Sequence, residues 1–164
     1  MVDIDGVLSL FGAGGALHDR PERTRGSFHS IEGIPHFLSS TAAEHLLALG
    51  ELFELVWASG WEERADEHLP HLLGAPAGLP FLSFSRDVGG RGGDARAHWK
   101  LAAIDAYAGA RALAWIDDAL DRDCREWARA RPAPTLLVQT DPQLGLTARE
   151  AEQLTSWARA LAAC

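Results

Sequence analysis

The chain has 164 residues, 47% hydrophobic and 23% charged, a balance that suits one globular domain and argues against wholesale disorder. Its 15 basic and 23 acidic residues leave a net charge of −8, so bulk nucleic-acid binding through general basicity is not expected. No apolar run reaches the ~20 residues that span a bilayer, the opening residues carry no secretory pattern, and two cysteines make no disulfide framework. The expected setting is the cytoplasm, without a membrane partner.

The first residues predict a strand, although only Met1 and Val2 precede Asp3, fewer apolar residues than a central parallel strand normally carries. Residues 9–40 are a long insertion punctuated by Gly12, Gly14, Gly15, Pro21, Gly26, Gly33 and Pro35, which predicts a short β-hairpin flap. Thr41 and Glu44 have the spacing of a capping box, predicting a helix over 41–49 that closes on Gly50. Residues 52–58 (LFELVWA) predict a strand. Residues 61–68 predict a helix that Pro70 interrupts or restarts. Residues 80–84 predict a further strand, and 85–97, with four glycines, a loop. Helix is expected over 97–108 and 123–130, and strand over 112–116 and 135–139. A second capping box, Thr147 with Glu150, opens the last helix. Five strands alternating with helices predict an α/β, three-layer Rossmannoid fold, a five-stranded parallel sheet with helices on both faces, in a single domain over 1–164.

Four pieces of this pattern carry chemistry. Asp3 and Asp5 sit at i and i+2 of the first strand, where side chains leave the same face, and Gly6 lets the chain turn. Ser59, with Gly60, follows the second strand directly. Lys100, the chain's only lysine among 15 basic residues, lies near the start of the helix before the fourth strand. Asp117 and Asp118 follow that strand. Three or four carboxylates converging in one crevice repel by roughly 3 kcal/mol per pair at about 5 Å and an effective dielectric near 20. Such a cluster calls for cations, and hard oxygen donors without a nearby thiolate suit Mg²⁺.

The order of these pieces resembles the haloacid dehalogenase (HAD) superfamily of phosphotransferases. Its D-x-D-x-[T/V]-[L/V] motif is met at Asp3, Asp5, Val7 and Leu8, followed by Ser59, Lys100 and the acidic pair Asp117 and Asp118. More closely, the stretches VWASGWEERA, HWKLAAIDAYAG and LAWIDD are similar to the HAD domain of Swiss Army Knife RNA-repair proteins. The resemblance implies strand order 3-2-1-4-5, which sets the first strand at the switch point of the sheet. It implies a Mg²⁺-dependent phosphohydrolase acting on a phosphomonoester through an aspartyl-phosphate. Asp3 is then the nucleophile, Asp5 the general acid and base, and Ser59 and Lys100 the holders of the phosphoryl oxygens. Asp3, the Asp5 carbonyl and Asp117 are the implied metal ligands, with Asp118 in support. An open site admits a terminal nucleic-acid phosphate or a nucleotide as well as a small ester.

Other residues have plainer readings beside sharper ones. His68 and His71 lack two further ligands for zinc and read as helix histidines, and His98 as a surface residue. Asp121 reads as a helix cap and Cys124 as an ordinary helix cysteine. The six tryptophans read as core or rim, with Trp61 and Trp99 near enough to the motifs to stack a base. Arg86, Arg91 and Arg96 form either a solvated loop or a phosphate-reading one. Two rival functions stand against the phosphatase. One is a catalytically silent HAD-fold binding module. The other is a phospho-accepting signalling domain, whose chain order places the accepting Asp near the third strand, where residues 80–84 have none.

Overall fold

The computed structural model describes residues 1–11, 24–84 and 97–163. The Arg86, Arg91 and Arg96 stretch and the His98 side chain lie outside the described residues. Within the insertion, β2 (Gly26–Ile31) and β3 (Ile34–Ser39) form an antiparallel hairpin, and β1 (Ser9–Leu10) pairs with the other edge of β3. The hairpin turns at Glu32 and Gly33, both at positive φ (51° and 80°), the backbone that matches the twist of the flanking strands.

A five-stranded parallel sheet does not form. The described parallel sheet has two strands, β4 (Leu113–Asp117) and β5 (Thr135–Gln139), and the three-stranded sheet is antiparallel. The expected first, second and third strands are reduced to single parallel bridges, Val2 with both Trp57 and Ile116, and Trp57 with Phe81. The reason lies in where the chain turns. Immediately after Asp3 the backbone folds back on itself, with the Leu8 and Ser9 N–H groups donating to Ile4 O at 2.8 and 2.9 Å. No length of chain is left there to extend a ladder. At the far side, Pro80 has no N–H to contribute. The bridges nonetheless align the segments, because Val2 N–H donates to Val56 O and Asp3 N–H to Ile116 O, at 2.9 and 3.0 Å.

Side chains alternate faces along this parallel core. Leu55, Trp57, Ala114 and Ile116 pack into a cluster with Leu46 and Leu154. Val56, Ala58, Leu113 and Trp115 pack into a second with Ile104 and Cys124. Helices α1 (Ser40–Leu49) and α5 (Ala148–Ala162) thus cover one face, and α3 (Leu101–Ala108) and α4 (Arg122–Ala130) the other. Trp57 and Trp115 are essentially inaccessible, and full burial of a large apolar side chain contributes roughly 1.5–3 kcal/mol. Helix α2 (Arg64–Leu73) starts three residues later than expected and runs through Pro70 to a left-handed cap at Gly74. It buries Ala65 and Leu69. None of the helices is long and apolar enough to cross a membrane among the described residues.

Two caps differ in kind. Helix α1 is capped by Ser39, whose side chain accepts from Ala42 N–H at 3.1 Å. Thr41 and Glu44 instead receive the backbone N–H and the guanidinium of Arg25, tying the hairpin's base to the helix. Helix α5 does open on the Thr147–Glu150 box, and α4 on the Asp121 side chain.

Candidate active site

The bridged segments run parallel, so their carboxyl ends reach the same rim. Val2 lies between Trp57 and Ile116. Asp3 therefore emerges between Asp117, the residue after Ile116, and Ser59, two residues after Trp57. Such a rim is where ligands bind in open α/β sheets. Asp3 Oδ1 accepts the Ile4 N–H at 2.8 Å. Asp3 Oδ2 lies 2.8 Å from Lys100 Nζ, and the same ammonium donates to Asp117 Oδ2 at 2.7 Å. Asp117 Oδ1 accepts the Ala119 N–H at 2.9 Å. Lys100 comes from the short 3₁₀ turn Ala97–Lys100 that leads into α3, so one lysine joins two strand ends across 17 and 97 residues of sequence.

All three charged groups are buried: Asp3 is 6% exposed, Lys100 4% and Asp117 0%. Burial pushes Asp3 up to about 7 even though Lys100 opposes it, and the neighbouring Asp117 adds to the rise. Burial pulls Lys100 down, but the Asp3 and Asp117 carboxylates more than offset it, so the ammonium is held above its ordinary value. Burial, reinforced by Asp117, lifts half-buried Asp118 to about 6. One oxygen from each of Asp3, Asp117 and Asp118 falls within 4.8 Å of the others, the one group of this kind among the described residues.

Gly6 makes room for Asp118. It sits at φ +70°, and a Cβ there would lie 2.3 Å from Asp118 Cγ, so both backbone conformation and space require glycine. Asp5 is not one of the three clustered carboxylates, although its charge adds to the rise of Asp118, and its Oδ2 accepts the Trp61 indole N–H at 2.9 Å. Ser59 is 1% exposed, and its hydroxyl faces the Trp61 N–H at 3.5 Å. Trp99 stands beside the cluster, with Lys100 Nζ 5.5 Å from its ring centre and Phe84 edge-on at 4.5 Å. A separate apolar cavity of about 430 Å³ lies at the other end of the strands, lined by Met1, Leu55, Leu113 and Trp157 but by none of the motif residues.

One residue at this rim, Thr140, has no counterpart in the sequence pattern. Thr140, 4% exposed, donates its hydroxyl to Gly6 O at 2.8 Å and so pins the turn that follows Asp5. Nothing local marks it, since the pair is 134 residues apart. Trp61 was readable as rim packing, and its hydrogen bond to Asp5 was not.

Comparisons with curated proteins and with solved structures give no match. A family model does match, described as the HAD domain in Swiss Army Knife RNA repair proteins, and it spans residues 1–151. The match takes in Asp3, Asp5, Ser59, Lys100, Asp117 and Asp118 and supports HAD-type phosphohydrolase chemistry in general. With nearly the whole length covered, this chain belongs to the family of HAD domains found in Swiss Army Knife RNA repair proteins.

Proposed function

We propose that the domain hydrolyses phosphomonoesters through a phosphoryl group carried on Asp3, with Mg²⁺ beside it. The observation that carries this reading is the junction of Asp3, Lys100 and Asp117, a buried carboxylate held by a buried ammonium at the carboxyl-end rim. In the first step an Asp3 oxygen bonds to phosphorus and the bond from phosphorus to the ester oxygen breaks. The Asp5 carboxyl gives its proton to that departing oxygen. In the second step a water oxygen bonds to phosphorus, its proton passes to the Asp5 carboxylate, and the phosphorus–Asp3 bond breaks. The products are the free alcohol and inorganic phosphate, and Asp3 and Asp5 regain their starting forms. Ser59 and Lys100 hold the phosphoryl oxygens, since this transfer depends chiefly on positioning and charge neutralisation.

The donor set suits the metal. Three carboxylate oxygens within 4.8 Å, with no thiolate or imidazole among them, are hard ligands of the kind Mg²⁺ takes. Asp3, Asp117, Asp118 and the Asp5 backbone carbonyl would hold it, and it would neutralise charge on the phosphoryl oxygens. The rim favours a phosphate at the end of a nucleic acid or on a nucleotide. Trp99 and Phe84 offer faces for a base, the family's setting is RNA repair, and a net charge of −8 favours ends over long duplexes.

The test is a Mg²⁺-dependent phosphatase screen with an aryl phosphate, nucleotides and 5′- or 3′-phosphorylated oligonucleotides. Continuous release of phosphate, fastest from the oligonucleotides, is expected. Trapping of one equivalent would point to a signalling domain, and no reaction with any substrate to a silent binding module. Either result would overturn the proposal.

A further inference from the structure

We propose that Trp61 is a positioning residue for Asp5, and that the β2–β3 hairpin acts on the reaction through it; the inference rests on the phosphatase reading. The Trp61 indole N–H donates to Asp5 Oδ2 at 2.9 Å, fixing one oxygen of the group that must deliver a proton and then take one back. This bond is not a routine result of burying tryptophan, because the buried indole nitrogens of Trp57 and Trp115 have no hydrogen-bond partner. A donor aimed at a carboxylate forms one of the stronger protein hydrogen bonds, and proton transfer depends steeply on placement within hydrogen-bond reach.

Trp61 is in turn held by the hairpin. His36 of β3 meets the Trp61 ring edge-on, centres 5.0 Å apart at 73°. The His36 Nδ1 pairs with Ser9 Oγ of β1 at 2.8 Å. At the hairpin's tip Glu32 forms an ion pair with Arg64 of α2 at 2.8 Å, three residues beyond Trp61. The path from the antiparallel sheet to Asp5 is therefore short and continuous: Ser9, His36, Trp61, Asp5. A hairpin that shifts would take the indole, and with it the Asp5 carboxyl, out of line.

The experiment compares wild type, Trp61→Phe and His36→Leu, as full chains with Mg²⁺, on p-nitrophenyl phosphate and on phenyl phosphate. The poorer leaving group depends more on the proton from Asp5. Trp61→Phe is expected to lower kcat on phenyl phosphate by about 10- to 100-fold, within the range general acid–base catalysis supplies, with KM nearly unchanged. With p-nitrophenyl phosphate the phosphoenzyme should accumulate, because it still forms but the water that removes it is poorly activated. His36→Leu, which leaves the indole in place, should show the same leaving-group dependence more weakly and serves if Trp61→Phe fails to fold. An equal loss of kcat/KM on both substrates with no accumulation of phosphoenzyme, or a loss confined to KM, would reduce Trp61 to a packing residue and overturn the proposal. An inert wild type would instead sink the phosphatase reading and this inference with it, so the two failures are distinct.

Discussion

Replacing Lys100 by Met removes the ammonium and leaves its two carboxylates facing each other inside the protein. Asp3 and Asp117 each contact Nζ at 2.8 and 2.7 Å, and their oxygens fall within 4.8 Å. Two like charges at that separation repel by about 3 kcal/mol at an effective dielectric near 20, in line with the roughly 3–5 kcal/mol seen when a buried ion pair loses one partner. The loss should depend on pH. Above about pH 7, where Asp3 beside Lys100 has lost its proton in the wild type, the full cost of about 3 kcal/mol applies. At about pH 5 one of the two carboxylates takes a proton, as expected for a group already held at about 7, and most of the difference disappears. Urea unfolding followed by circular dichroism, in chelator at about pH 5 and about pH 8, reads this directly through the shift in midpoint. A Lys100→Met protein as stable as wild type at the higher pH would refute the reasoning. A loss of the same size at both values would too, since it would mean packing and not charge.

Three further outcomes follow from the same geometry. Gly6→Ala should destabilise the fold by roughly 1–3 kcal/mol from its φ of +70° and weaken Mg²⁺ binding by displacing Asp118, read by calorimetric titration; unchanged affinity would contradict the close approach. The raised values of Asp3, about 7, and Asp118, about 6, mean the folded protein keeps protons that the unfolded chain releases from about pH 4 upward. Their contribution to stability is therefore present below pH 4 and lost as pH rises through 6 to 7. Mg²⁺ must displace those protons, so its shift in melting temperature should be larger at about pH 8 than at about pH 5.5; equal shifts would argue that it binds elsewhere.

The residues that come together at the rim sit at or near punctuation points that local pattern reveals. Asp3, Asp117 and Ser59 each follow a short apolar run, and β5 and the α5 capping box are local features that the structure reproduces. The sheet could not be read in the same way. Apolar runs such as 52–58 report burial, and both faces are indeed buried over 55–58, although Leu52 is exposed, but burial does not require a continuous ladder. Whether a run pairs residue by residue depends on where its neighbours turn, and here Gly6 and Pro80 end the pairing after one bridge each. The α1 cap failed for a related reason: Thr41 has the spacing of a cap, yet Arg25 from the hairpin claims its hydroxyl. Thr140 with Gly6 and Trp61 with Asp5 are long-range contacts, which a single sequence does not encode in any local signal.

Acid quenching of the protein during turnover of an aryl phosphate with Mg²⁺ tests most directly whether Asp3 carries the phosphoryl group. Peptide mass spectrometry should then find one phosphoryl group on the peptide holding Asp3, labile to hydroxylamine, and the Asp3→Asn protein should fold, carry none and release no phosphate. Phosphate release from a protein whose Asp3 stays unmodified, or undiminished turnover by Asp3→Asn, would contradict the account.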